Sequence, residues 1–303
     1  MVRKIEELIS YYYGFENVNM IKKGCKYVFQ YNDNNYVLSP LIRQKNEIIE
    51  IYKFFNDKKR SDKILKNKFN DIITNIYGTD YILTEKYENL GKKIFFDQIM
   101  EENGKYDDTS SEFLKDIDHS NWDILWSTKV DYIEYQIKHI ENKFPMLVKY
   151  VGYYIGMAEN AISYFKNIFE RYLKYQLKTI SHIRIVDENF NDPQNIIIDF
   201  PSRDVAEYLK YMFFSNLRTQ CSKKNIKSFF DKITLNDIEL ELVYARMLFP
   251  TFFFDSCDMI INTNADEKMI LSLVNRADEY EDYIKDIYDV INLQKKIPRI
   301  TWI

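Results

Sequence analysis

After Gly156 this 303-residue chain contains no further glycine. Its seven glycines stand at positions 14, 24, 78, 91, 104, 152 and 156. Glycine supplies the bare backbone that wraps a phosphate or holds a nucleophile on a tight strand-to-helix elbow. The C-terminal half therefore excludes a site built on either device. The chain carries 25 tyrosines and 21 phenylalanines, so aromatic packing must supply much of the core.

The length allows one large or two modest domains. A content of 46% hydrophobic and 29% charged residues is ordinary for a soluble globular protein. Net charge is −4, with both signs interspersed and no long basic stripe, which gives nucleic-acid binding little electrostatic support. The strongest basic cluster, DKKR at 57–60, reads as a solvated helix end. Cys25, Cys221 and Cys257 are odd in number, far apart and without metal-type spacing, which fits a reduced, intracellular chain with no bound metal. The opening MVRKIEELISYYYG lacks the apolar core of a signal peptide. MLFPTFFF at 247–254 is too short to span a membrane and reads as buried core.

The pattern of elements changes along the chain. RKIEELISYYY (3–13) has helical spacing. FENVNMIKKG and CKYVFQYNDNNYVLSPL read as strands, with NDNN as a hairpin turn. NEIIEIYKFFND (46–57) is a short amphipathic helix, and NDIITNIYGTDYILTEKY (70–87) is a hairpin turning at YGTD. Beyond about residue 90 the pattern is almost wholly helical: 121–144, 145–180, 202–217, 234–261 and 265–294, interrupted by the short strand NIIID (195–199). Pro145 opens one of these helices and Pro250 is expected to kink another. Gly152, Gly156 and Ala158 are expected to let helices approach closely in the core. A sheet-rich segment leading into a large helical one is the layout of an α+β, bilobal, kinase-like fold, with an N-lobe at 1–87 and a helical C-lobe at 88–303.

Phosphoryl transfer on such a fold needs a loop over the phosphates, a third-strand lysine, a base for the hydroxyl proton, and an Asn and Asp to hold Mg²⁺. The loop position, IKKGCKY (21–27), has only Gly24 and reads as a plain hairpin. The lysine position is Ser39, followed by Pro40; a hydroxyl cannot replace a positive charge, and proline removes a backbone donor. Glu47 and Glu50 then lack a lysine partner and read as solvated helix surface. The catalytic loop would begin at His182, but Arg184 stands where the base belongs, and a guanidinium does not accept a proton at neutral pH. His182 reads as a structural histidine. Asn189 lies in the polar loop that follows. Asp199 in IIIDFP superficially matches a metal-binding strand end, but its spacing from Arg203-Asp204 is short, and spacing places Asn195 at the metal position instead. A neutral amide is a poorer Mg²⁺ ligand than a carboxylate. Asp204 reads as a helix N-terminal acid.

Five stretches, YVLSPL (36–41), YYIGMAENAISY (153–164), SHIRI (181–185), DFPSRDVAEYL (199–209) and YARMLFPTFFFD (244–255), resemble in type and order the kinase-like spore-coat proteins of endospore-forming bacteria, the CotS/YutH group and its YutH-type members in particular. The wider fold is similar to aminoglycoside phosphotransferases and choline kinases. The resemblance implies a bilobal kinase-like domain made inside a spore-forming bacterium and associated with other proteins of the spore coat. Ser39, Arg184 and Asn195 occupy places where active relatives of the wider fold carry Lys, Asp and Asp. The expectation is therefore a pseudokinase without cofactor or metal, in which Ser39, His182, Arg184, Asn189 and Asn195 are degenerate site positions and Asp199 a remnant. Two alternatives stay open. One is a divergent small-molecule phosphotransferase using Asp187, Glu188, Asp192 or Asp199. The other is a non-catalytic binder of an anionic small molecule in the inter-lobe cleft, with Arg184 as its cation.

Overall fold

The structure, a computed structural model, describes residues 2–56, 61–87, 112–172, 177–186, 190–215 and 221–300. The basic cluster at 57–60 and the candidates Asp187, Glu188 and Asn189 lie outside these residues. The described chain divides into two compact units. The first takes in the residues up to Tyr87, Glu112–Asp118 and those between Ile180 and Ile198. The second takes in His119–Thr179 and the residues from Asp199 onward.

The first unit is a helix-flanked antiparallel sheet. Its elements are α1 (Val2–Tyr13), β1 (Ile21–Lys23), β2 (Lys26–Tyr31), β3 (Asn34–Pro40), α2 (Lys45–Phe55), β4 (Lys63–Leu65), β5 (Thr74–Ile76) and β6 (Thr79–Glu85). The strands run in the order β1-β2-β3-β6-β4, with β5 also paired to β6. The turns follow the residues. Asn32 and Asp33 take the left-handed region at φ 46° and 64° between β2 and β3, and Tyr77 and Gly78 do so at 51° and 84° between β5 and β6. Alternation then sorts the strands' side chains onto two faces. Tyr27, Phe29, Tyr36, Leu38 and Leu83 pack with Ile5 and Ile9 of α1, while Ile64 and Ile82 pack with Ile48, Ile51 and Phe55 of α2. A 3-10 turn (Glu112–Ile117) and most of a two-stranded sheet of β7 (Thr179–His182) and β8 (Ile196–Asp199) complete this unit; Thr179 and Asp199 belong to the second.

The second unit is helical: α3 (Trp122–Ile140), α4 (Pro145–Arg171), α5 (Ser202–Phe214), α6 (Lys223–Phe230), α7 (Asp237–Leu248), α8 (Thr251–Thr263), α9 (Leu271–Val274) and α10 (Ala277–Gln294). α7 is its axis. Every residue from Glu239 to Leu248 is buried, and α4, α5 and α10 all pack on it. Asn236 starts it with a capping box: its side chain accepts from the Ile238 and Glu239 amides at 3.0 Å, and Glu239 returns the bond to the Asn236 amide at 2.8 Å. The aromatic residues do pack the core, as in the stack of Tyr154 on Phe253 and of Trp126 on Phe249.

Three expectations change. The stretch 234–261 is two helices rather than one kinked helix, because Phe249 leaves helical geometry at ψ 119° and Pro250 opens α8. The helix expected over 145–180 ends at Arg171, and Thr179 begins a strand. Gly152 and Gly156 do not sit at a helix–helix contact: a Cβ built on either meets nothing within 4 Å. Ala158 alone of the three small residues is fully buried. Among the described residues no helix is long and apolar enough to cross a membrane.

Candidate functional site

Gly24 turns β1 into β2 at φ 59°, and Lys23 pairs with Lys26 across it. Strand pairing then places Ser39 of β3 opposite Ile82 of β6. Ser39 is 2% exposed, and its surroundings explain how a hydroxyl is tolerated there. Gln194, from the 3-10 turn Pro193–Asn195, donates its Nε2 to Ser39 Oγ at 3.3 Å and to the Pro40 carbonyl at 3.1 Å. Its Oε1 accepts the Ile42 amide at 2.8 Å. Asp192 caps the same turn by accepting the Gln194 amide at 2.9 Å, and it pairs with Lys26 at 2.8 Å. The third-strand position is thus occupied by a neutral, mutually satisfied cluster. Nothing near Ser39 in the sequence announces Gln194. The only local signal is the Asp-Pro pair that begins its turn.

The two glutamates of α2 are less solvated than expected. Both are half-buried. Glu47 accepts from Arg43 Nε at 2.7 Å, four residues earlier and just ahead of the helix, and Arg43 also donates to the Ile196 carbonyl. Glu50 keeps a buried carboxylate oxygen without a hydrogen bond. Burial pushes its carboxyl above the usual range, and Asp116 adds to the rise.

His182, on β7, is 3% exposed and stacks on Phe190 at 4.3 Å. Two residues on, Arg184 turns its guanidinium back to the Ile183 carbonyl at 2.7 Å. Its backbone is gripped by Asn195, which accepts the Arg184 amide on Oδ1 at 3.0 Å and donates Nδ2 to the Arg184 carbonyl at 2.8 Å. The Asn195 carbonyl in turn accepts the Ile183 amide at 2.8 Å. The structure therefore brings Arg184 and Asn195 together, with the amide side chain extending a ladder of backbone bonds.

Asp199, at the end of β8, belongs to the second unit and is fully buried. Trp122 Nε1 donates to both its oxygens, at 2.9 and 3.0 Å. The Phe200 amide donates to Oδ1 at 2.7 Å, and Arg203 donates to Oδ2 at 2.5 Å. Burial pushes the Asp199 carboxyl upward; Arg203 and then Arg246 pull it down. Arg246 lies 5.0 Å over the Trp122 ring and pairs with Glu207 at 2.8 Å. Sequence reasoning missed Trp122 because it is distant along the chain and reads as ordinary apolar helix. Asp204 is buried in the first turn of α5. Among the described residues no three His, Cys, Asp or Glu side chains gather as a metal ion would require.

The family model described as "Spore coat putative kinase YutH" matches residues 6–287. The chain belongs to the YutH spore-coat family. That match contains all of the positions just described. "Endospore coat-associated protein YutH" of Bacillus subtilis (strain 168) is 22% identical over 206 residues, which cover 60% of this chain and 61% of that protein. The chain thus spans less than two thirds of the length of the curated relative it matches. Among solved structures, an aminoglycoside phosphotransferase from Alicyclobacillus acidocaldarius has a TM-score of 0.56 at 10% identity, covering 91% of this chain and 92% of its own. A spectinomycin phosphotransferase solved with ADP and spectinomycin has a TM-score of 0.56 at 11% identity, covering 96% of each chain. A choline kinase from Streptococcus pneumoniae has a TM-score of 0.51 at 14% identity, covering 95% of this chain and 98% of its own. At such identities the likeness speaks for the fold alone: this YutH-family chain has the aminoglycoside phosphotransferase-like architecture.

Proposed function

We propose that this chain is a kinase-like structural protein of the spore coat that does not transfer phosphate. The observation that carries the reading is the engagement of Asp199. Among Ser39, His182, Arg184, Asn189, Asn195 and Asp199 it is the one carboxylate, and both of its oxygens already accept bonds from Trp122, Phe200 and Arg203. Magnesium binds through carboxylate oxygens turned toward it, and Asp199 turns none outward. Asn195 spends its amide on the Arg184 backbone. Ser39 carries no charge and is capped by Gln194. Arg184 cannot take a proton from a hydroxyl. These residues do not fit a magnesium-bound nucleotide. Losing one key electrostatic group commonly lowers a rate by about 10² to 10³, and several such groups are missing here, although such losses do not simply multiply.

Coat association is supported by the family and by the description of the Bacillus subtilis relative as endospore coat-associated. The partners in this reading are other coat proteins. Calorimetry and thermal shift with Mg-ATP test the non-catalytic part, with no saturable heat and no rise in melting temperature expected. Micromolar binding would end it. Extraction of coat protein from purified spores tests the other part, and absence of the chain from the coat fraction would end that.

A further inference from the structure

The stretch between Ile180 and Ile198 holds His182, Arg184, Asn195 and the turn that carries Gln194. It belongs to the sheet unit, although the chain on either side of it, His119–Thr179 and Asp199 onward, builds the helical unit. Its bonds explain why. The Asn191 carbonyl accepts the Asp62 amide at 2.7 Å, just ahead of β4. The Asp192 carboxylate accepts Lys26 of β2 at 2.8 Å. Gln194 reaches Ser39, Pro40 and Ile42, and the Ile196 carbonyl accepts from Arg43. Ile180, Ile196 and Ile198 pack with Ile48 and Phe55 of α2, Ile64 of β4 and Ile82 of β6.

Asp62 is the centre of these fastenings. It is 1% exposed. Its carboxylate accepts Lys86 Nζ and, at 3.1 Å, the Tyr87 amide, where the chain leaves β6. One residue therefore holds Asn191 with its amide and the end of β6 with its side chain. Burial pushes the Asp62 carboxyl up, Lys86 draws it down, and the nearby Asp192 charge adds to the rise. Lys26, Asp192, Asp62 and Lys86 thus form one knot of four charges. A buried ion pair adds little net stability over apolar packing, and its best-attested use is to fix register. Register is what the segment needs. Apolar contact is non-directional, so the three isoleucines alone do not set its position on α2 and the sheet.

We infer that the residues between Ile180 and Ile198 form a strap locked to the sheet by the Lys26–Asp192 and Asp62–Lys86 pairs. The strap opens with the sheet and not with the helical unit that flanks it in sequence. This goes beyond the non-catalytic reading and is independent of it, since no nucleotide enters the test.

Native-state hydrogen exchange of the full chain in low denaturant resolves such openings. The Asp62 and Ile42 amides bridge strap and sheet, and the Ile183 and Gln194 amides report the strap itself. In the wild-type chain these four follow the opening of β3 and β6, and α7 follows a separate one. Asp62→Asn takes the charge partner from Lys86 and speeds exchange at the four amides and in β3 and β6 by about tenfold or more, with α7 unchanged. Lys26→Met, at a side chain 28% exposed, gives the same pattern at smaller amplitude and serves where Asp62→Asn fails to fold. Lys129→Met, which removes the partner of Asp258 inside the helical unit, leaves the four amides as they were. Strap amides that follow α7, or that respond to Lys129→Met, overturn the inference. So does a strap that speeds up with β3 and β6 untouched, or one opening shared equally by strap, sheet and α7.

Discussion

Asn195 holds Arg184 by its backbone at both ends: Oδ1 accepts the Arg184 amide at 3.0 Å, and Nδ2 donates to the Arg184 carbonyl at 2.8 Å. An amide can make this reciprocal pair because it carries an acceptor and a donor side by side. A carboxylate cannot. Asn195→Asp is expected to set a negative charge against the Arg184 carbonyl and to cost about 1–3 kcal/mol of stability. Denaturant unfolding measures that cost. The same variant should gain no Mg²⁺ affinity by calorimetry. A stable variant that binds Mg²⁺ would show the position to be a lapsed metal ligand rather than a structural amide.

Asp199 poses a different balance. Its removal would take a buried acceptor from both the Arg203 guanidinium and the Trp122 N–H. Breaking one side of a buried ion pair costs about 3–5 kcal/mol. Asp199→Ala should fall in that range by thermal unfolding, and Asp199→Asn, which keeps an acceptor, should cost less. Equal and small effects would mean that the carboxylate is not holding these groups together.

Restoring the lysine tests the third-strand position directly. Ser39→Lys would place an ammonium at a site only 2% exposed and already filled by Gln194. A buried charge without a partner costs about 3 kcal/mol or more, so the variant should be markedly less stable and still fail to bind Mg-ATP. Nucleotide binding by a well-folded Ser39→Lys protein would count against the non-catalytic reading.

Tyr154 gives the pH dependence. It is 2% exposed and its hydroxyl has no hydrogen-bond partner; burial pushes the phenol from 10.0 up to about 12. A group with a raised folded-state pKa contributes stability fully below its unfolded pKa. That contribution is lost as pH rises through the folded value. Tyr154 should therefore cost the protein stability between about pH 10 and 12, by about 2–3 kcal/mol at the upper end. Tyr154→Phe should be neutral or stabilising at pH 7, because it removes an unsatisfied hydroxyl, and should flatten the alkaline fall. Chemical unfolding of the two proteins across that range, with tyrosinate absorbance followed in parallel, decides the matter.

Local chemistry was readable where neighbours in sequence are neighbours in space. The Asn32-Asp33 turn and the α2 helix both follow from adjacent residues. β4 was missed because three residues, Lys63–Leu65, cannot display a period. α6 was missed because its eight residues are mostly polar. The partner of Ser39 was beyond reach for another reason: Gln194 arrives from 155 positions away, on a turn whose own sequence says nothing about strand β3. Glu47 could have been found, since Arg43 stands only four residues before it. The α4 glycines were misread because helical spacing alone does not say whether a small residue faces a neighbour or open space.

At Phe249 the buried Lys210 ammonium donates to the main-chain carbonyl at 3.0 Å and to Thr251 Oγ1 at 3.1 Å. The change of direction between α7 and α8 thus depends on a cation delivered by another helix. A peptide spanning 237–263 would carry the proline but not the ammonium, and its bend would be left unpinned. In a region without glycine, geometry at this corner is set by long-range assembly, so the corner and the surrounding aromatic interior should be gained and lost in one cooperative step.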